Sequence, residues 1–108
     1  MIDVRLFKTE AGGIYGFEIK NHGKKTVCAA VSALALNAVN GIEAFTEDEF
    51  TCDADKSGGY LKFEHPLIKS GGTSKDASLL LNSMALGLYA IRAEYGGEIN
   101  IAEERRKV

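Results

Sequence analysis

Residues 21–45, NHGKKTVCAAVSALALNAVNGIEAF, contain the most apolar helical segment of this chain. From Thr26 to about Phe45 the segment is rich in alanine and leucine and lacks glycine until position 41, which predicts one long helix. On a helical wheel its polar residues occupy an arc of only roughly 140°. They are Ser32, Asn37, Asn40 and Glu43. A helix with so wide an apolar surface needs cover on more than one side, so we expect it to pack on a sheet and against a second helix or a second subunit.

Short runs with alternating apolar residues flank this helix and predict strands. They lie near residues 2–6, 15–19, 50–54, 60–63 and 99–101, and a charged, frayed tail is expected after the last of them. A second helix is predicted from about Thr73, where Thr73 and Asp76 form a capping pattern, to the Gly96–Gly97 pair. The order β-β-α-β-β-α-β predicts an α+β fold in which a mainly antiparallel sheet of about five strands carries two helices.

Length and composition set broad limits. A chain of 108 residues is expected to form one domain over residues 1–108. Its 13 basic and 15 acidic side chains give a net charge of -2, so we predict no direct binding to nucleic acid. Charges interrupt the apolar runs at the N-terminus, and Asn37, Asn40 and Glu43 interrupt the longest run. We therefore predict neither a signal peptide nor a membrane span. Two cysteines do not make a disulfide scaffold, which favours the reducing cytoplasm.

His22 and Cys28 are the strongest candidates for chemistry. Thr26 is predicted to cap the first helix, which makes Cys28 its second residue. The unpaired N–H groups and the positive dipole end of a helix start favour a thiolate, and Lys24 and Lys25 add positive charge. His22 is close enough in sequence to accept the thiol proton or to pair with the thiolate. A free cysteine in an alanine-rich helix also serves as a small buried hydrophobe, so these residues alone leave both interpretations open.

The remaining candidates favour structural roles. Ser32 follows Cys28 by one helical turn on the same face, where its hydroxyl either positions the thiol or bonds to the carbonyl of Cys28. Cys52 is predicted to be a buried structural thiol, and His65, which precedes Pro66, an exposed loop residue. A zinc site built from the two histidines and two cysteines lacks the close ligand spacing of such sites, and no glycine motif for phosphate or dinucleotide binding is found. We therefore predict no metal and no cofactor.

The segment around Cys28 resembles the Prp family, the ribosomal-processing cysteine proteases of bacteria. Members of that family have a strand that ends in Gly-His-Ala, a loop, and a helix that opens with a Val-Cys-Ala-Ala-Val-Ser-Ala-Leu-like run. VCAAVSAL stands intact here at residues 27–34, and a Val-Asn-Gly-Ile-Glu match follows at residues 39–43. The Gly-Gly-Tyr-Leu turn at residues 58–61 and the leucine-rich second helix are also similar. The resemblance covers nearly the whole chain, although only the segment around Cys28 is specific.

The resemblance implies a homodimeric cysteine endopeptidase that removes the N-terminal extension of a large-subunit ribosomal protein, the twenty-seventh of the L series. It matches His22 to the catalytic histidine, Cys28 to the nucleophile and Ser32 to a supporting serine. The Cys28 thiolate would attack the scissile carbonyl and His22 would protonate the leaving amine, with backbone N–H groups at the helix start as candidate oxyanion donors. No third catalytic residue is assigned, and Asn21 and Asp55 are both candidates to orient the histidine.

The chain departs from the family pattern between the histidine and the cysteine. Asn21 and Gly23 replace the glycine and alanine that flank the family histidine, and Lys25 stands where many members have an aspartate. The loop from His22 to Cys28 is about half the usual length. The alternative interpretation is therefore a non-catalytic dimeric module that keeps the fold and binds a ribosomal protein or peptide.

Overall fold

A computed structural model of the chain describes residues 1–106. The strands are β1 (Ile2–Thr9), β2 (Ile14–Lys20), β3 (Thr51–Ala54), β4 (Tyr60–Glu64) and β5 (Ile99–Arg106), and the helices are α1 (Lys25–Phe45), α2 (Pro66–Lys69) and α3 (Lys75–Glu94). The strands form one sheet in the order β3-β4-β2-β1-β5, in which β5 is parallel to β1 and the other neighbours are antiparallel. The predicted α+β fold is confirmed, and the short helix α2 is an addition to the predicted order.

One face of the sheet carries the hydrophobic core. Val4 and Leu6 of β1 are fully buried, and Arg5 between them points to the opposite face, as the alternating pattern predicts. The helices α1 and α3 pack against each other and bury residues every three or four positions in the same cluster. This packing leaves the first turns of α1 beside the end of β2 and the start of β4, where a cleft forms.

The start of α1 differs from the prediction. The helix begins at Lys25 with Lys24 as its N-cap, and no side chain caps it. Thr26 therefore lies inside the first turn, and its predicted capping role is wrong. The other end is confirmed, because the helix runs to Phe45.

The helix α1 is more apolar than we expected from the polar residues that interrupt it. The helix is long and apolar enough to cross a membrane by length and composition alone, with a mean hydropathy of 1.5. Asn37 and Asn40 do not prevent this, because they carry no charge. Core helices pass the same test, and α1 buries one stripe against the rest of the protein. Only 33% of its most apolar segment is buried, so the expectation that the helix needs further cover still holds.

His65 is fully buried, contrary to the predicted exposed loop position. Its Nδ1 accepts a hydrogen bond from the N–H of Ile68 at 3.2 Å and so caps α2, and its Nε2 bonds to Asp48 at 2.9 Å. Ser74, the N-cap of α3, donates its hydroxyl to the same carboxylate, and the predicted Thr73–Asp76 capping pattern is wrong. The hydrogen bonds from Ser74 and His65 hold the pKa of Asp48 below its usual range. Through these hydrogen bonds, Asp48 connects the loop between α1 and β3 to the starts of α2 and α3.

Two predictions about the sheet edges are also wrong. Cys52 is exposed instead of buried, because β3 is an edge strand whose residues are all exposed. The last strand runs to Arg106 instead of ending near residue 101, since acidic residues of β5 pair with basic residues of β1. One such pair joins Lys8 Nζ and Glu103 at 3.1 Å. Residues 107–108 of the expected tail lie outside the described part of the chain.

Candidate active site

A cleft of about 340 Å³ opens where β2 ends, β4 begins and α1 starts. His22, Cys28 and Ser32 all line this cleft, so the structure brings the three predicted site residues together. Apolar side chains form much of the remaining wall, namely Ile2, Ile19, Val31, Leu36 and Leu61. A few polar groups set among apolar walls are typical of a binding site.

Cys28 is the fourth residue of α1, and its predicted place as the second residue is wrong. Its backbone N–H donates to the carbonyl of Lys24 at 2.9 Å. Because that N–H closes the first turn of the helix, it is not free to bind an oxyanion. The N–H groups of residues 25–27 come before this first helical bond and remain the candidate donors.

The thiol of Cys28 is held by the backbone of Gly23. The N–H of Gly23 donates to Sγ at 3.2 Å, and the S–H donates to the carbonyl of Gly23 at 3.6 Å. An N–H directed at sulfur stabilises the negative charge of a thiolate. The backbone fits closely here, since a Cβ on Gly23 would lie 3.2 Å from the carbonyl oxygen of Glu98 and 3.3 Å from Ile2. The glycine that replaces the family alanine is therefore part of the thiol site.

His22 follows the end of β2, where the chain turns sharply. Asn21 has a φ of 72°, a left-handed conformation that asparagine tolerates better than most residues. The side chain of His22 is exposed, and its ring lies against Gly59 in the turn between β3 and β4. Within residues 1–106 the ring makes no hydrogen bond. His22 and Cys28 thus share the cleft without a direct bond between them.

Neither candidate orienting residue binds the histidine ring. The amide of Asn21 donates to Asp3 at 2.7 Å. Asp55 lines the cleft, but its carboxylate accepts hydrogen bonds from the N–H and the hydroxyl of Ser57 at 3.1 and 2.9 Å. These bonds hold the pKa of Asp55 below its usual range, so it carries a negative charge beside the site.

Ser32 stands on α1 one turn after Cys28, with its side chain exposed in the cleft. Among the described residues its hydroxyl forms no hydrogen bond, and the alternative bond to the carbonyl of Cys28 is absent. Within residues 1–106, no group of three or more histidine, cysteine or acidic side chains lies close enough together to hold a metal ion.

Sequence reasoning missed two glycines of this site. Gly23 binds the thiol through its backbone, and Gly59 supports the ring of His22. Gly23 was noted only as a departure from the family alanine and Gly59 only as part of a family turn, because a backbone contact leaves no side-chain pattern to find. The available signal was the position of each glycine next to a predicted strand end.

Comparison with known proteins identifies the family. Residues 1–100 match the family model described as cysteine protease Prp. The ribosomal processing cysteine protease Prp of Bacillus subtilis (strain 168) is 29% identical over 107 residues, which cover 94% of this chain and 96% of that protein. The protein of the same name from Staphylococcus aureus (strain NCTC 8325 / PS 47) is 32% identical over 81 residues, covering 74% and 72%.

A solved structure agrees with these sequence matches. The crystal structure of the essential ribosomal processing protease Prp from S. aureus, in complex with a covalently linked product peptide, superimposes with a TM-score of 0.87. The two sequences are 25% identical, and the match covers 96% of this chain and all of the other. The overall fold is therefore shared with that protease. The chain belongs to the Prp family of cysteine proteases, as its sequence resemblance predicted.

Proposed function

We propose that this protein is a cytoplasmic endopeptidase that removes the N-terminal extension of a large-subunit ribosomal protein, the twenty-seventh of the L series. In this proposal a single domain carries His22 and Cys28 as the catalytic dyad and Ser32 as a supporting residue. The observation that carries it is the placement of all three side chains in one cleft with apolar walls. The names of the relatives add support, since they describe ribosomal processing, and the S. aureus protease holds a product peptide.

The proposed reaction proceeds through a thioester. His22 takes the proton of the Cys28 thiol, and Sγ attacks the scissile carbonyl. As the C–S bond forms and the C–N bond breaks, His22 returns that proton to the leaving amine. Water then attacks the thioester with His22 as its base, which restores the thiol and releases the new carboxyl end.

Two sets of backbone groups support this chemistry. The N–H of Gly23, which points at Sγ, stabilises the attacking thiolate. The N–H groups of residues 25–27 lie at the positive end of the α1 dipole and are candidates to bind the oxyanion. His22 needs to reach hydrogen-bond distance of the thiol, and such contacts commonly tighten only when substrate binds.

The direct test is cleavage of the cognate ribosomal protein with its N-terminal extension intact. We expect the wild-type protein to convert this precursor to a shorter product, and mass spectrometry of both fragments gives the cleaved bond. The same ribosomal protein made without the extension is the control and stays intact. An uncut precursor that nevertheless co-elutes with the protein on a sizing column would favour the non-catalytic binding module.

The proposal includes a homodimer, with the outer surfaces of α1 and α3 as its interface. Leu79 and Leu86 lie two turns apart on one face of α3 and are 67% and 75% exposed, and Phe45 at the end of α1 is 77% exposed. Exposed apolar residues in such number mark an interaction site. A second copy is the proposed cover because the family resemblance implies a dimer.

Light scattering tests this interface. Leu86→Glu is expected to convert a dimer into a monomer, because it places a charge in the apolar contact. Leu67→Glu is the control, since Leu67 is exposed on α2, outside the proposed interface, and this variant keeps the mass of the wild type. A monomeric wild type would contradict the dimer, and a dimeric Leu86→Glu would contradict the proposed interface.

A further inference from the structure

The ring of His22 occupies the space where a side chain on Gly59 would stand. A Cβ built on Gly59 lies 2.6 Å from Nε2 of His22 and 3.2 Å from Cε1. Real Cβ atoms essentially never approach another heavy atom to less than 3.0 Å. The ring as placed is therefore compatible only with glycine at position 59.

Gly59 also holds the backbone that leads into the histidine. Its carbonyl accepts a hydrogen bond from the N–H of Asn21 at 3.0 Å. The side chain of Asn21 is fixed in turn by its bond to Asp3 on β1. One residue thus contacts both the ring of His22 and the backbone N–H of the residue before it.

The turn that carries Gly59 is braced by its own hydrogen bonds. The N–H of Asp55 donates to the carbonyl of Tyr60 at 3.1 Å, and the N–H of Gly58 donates to the carbonyl of Asp55 at 3.0 Å. Ser57 binds the carboxylate of Asp55 through both its N–H and its hydroxyl. These hydrogen bonds fix the conformation of the turn, and with it the position of the backbone that the ring contacts.

We propose that Gly59 is a positioning residue that seats His22 for proton transfer with Cys28, an inference that rests on the proposed function. The ring is exposed, makes no hydrogen bond within the described residues, and lies against Gly59 in the wall of the cleft. Because an ordinary contact needs about 3.5 Å and the Cβ would lie 2.6 Å from Nε2, alanine at position 59 pushes the ring away by about 1 Å. A misplacement of that size costs roughly 100-fold in rate.

Gly58 provides a matched control. Its φ of 83° is nearly the same as the 84° of Gly59, so alanine introduces backbone strain at both positions. A Cβ on Gly58 would lie 3.9 Å from the nearest atom of the His22 ring, which is ordinary van der Waals contact. The two alanine variants therefore differ mainly in whether they displace the histidine.

The experiment compares Gly58→Ala, Gly59→Ala, His22→Ala and the double variant His22→Ala/Gly59→Ala. Iodoacetamide labelling of Cys28 at neutral pH is followed by peptide mass spectrometry, which separates Cys28 from the exposed Cys52. We expect Gly59→Ala to slow the labelling of Cys28 as strongly as His22→Ala does, and Gly58→Ala to slow it much less. Cleavage of the precursor by Gly59→Ala should show a kcat about 100-fold lower with little change in KM.

The double variant tests whether Gly59 acts through the histidine. The exposed ring can move aside at little cost to the fold, so we expect Gly59→Ala to keep the Tm of Gly58→Ala and His22→Ala/Gly59→Ala to label Cys28 no more slowly than His22→Ala. Equal labelling rates for the Gly58 and Gly59 variants, or a double variant that labels Cys28 more slowly than His22→Ala, would overturn this inference alone. Labelling of Cys28 at the wild-type rate in His22→Ala would overturn the proposed function and this inference with it.

Discussion

Replacing Cys28 with alanine is expected to abolish peptide-bond cleavage. The thiol supplies the bond-forming atom in the proposed mechanism, and no neighbouring side chain in the cleft offers an equivalent nucleophile with a base beside it. We expect kcat to fall on the order of 10⁴-fold or more. The measurement is the rate at which the precursor loses its N-terminal extension, followed by mass spectrometry under single-turnover conditions.

Cys52→Ala is the matched control, because it removes the other thiol of the chain, which is exposed on the edge strand β3 and does not line the cleft. It should cleave at the wild-type rate. Cys28→Ala should also keep its fold, since the half-buried thiol contributes only weak bonds to the backbone of Gly23. If Cys28→Ala still cleaves, or if Cys52→Ala is the variant that fails, the nucleophile is assigned to the wrong residue.

Local patterns were enough to predict the five strands and the two long helices. Ile2, Val4 and Leu6 alternate with charged residues, and that pattern places one face of β1 in the core. The end of α1 at Phe45 was also predictable, because the apolar stripe stops there. These features depend on residues close together in sequence, so the sequence alone determines them.

The errors share a physical cause in contacts between distant segments. His65 is buried because Asp48, from a separate loop, accepts a hydrogen bond from its ring. Cys52 is exposed because β3 lies at the edge of the sheet, a fact about strand order that its own alternating pattern does not carry. Period-2 alternation shows which residues share a face, and it does not show whether another element covers that face.

The candidate site was predictable in its side chains and not in its backbone. His22 and Cys28 were identified by residue type, helix position and family resemblance, and the structure places them in one cleft. The contacts of Gly23 with the thiol and of Gly59 with the ring depend on backbone atoms that every residue has. Only the three-dimensional path of the chain shows why glycine is needed at those positions.

A second large effect is expected from Gly16→Ala, which we predict to destabilise the fold by about 3 kcal/mol. Gly16 is buried in β2, and a Cβ there would lie 2.3 Å from the carbonyl oxygen of Phe63 on the neighbouring β4. A backbone oxygen cannot move aside as a flexible side chain does, so the two strands have to separate. For a domain of this size, such a loss lowers Tm by roughly 15 °C in thermal unfolding.

Gly97→Ala separates this collision from a general cost of losing glycine. A Cβ added at position 97 would have no atom within 4 Å, so alanine there should change stability by less than about 0.5 kcal/mol. Equal Tm values for the two variants would contradict the close approach of β2 and β4. The same ladder continues from Gly16 to the pair Lys20 and Tyr60, directly beside Gly59. Separation of the strands should therefore also displace the turn that contacts His22. At a temperature where both variants are folded, Gly16→Ala should label Cys28 more slowly at neutral pH than Gly97→Ala does.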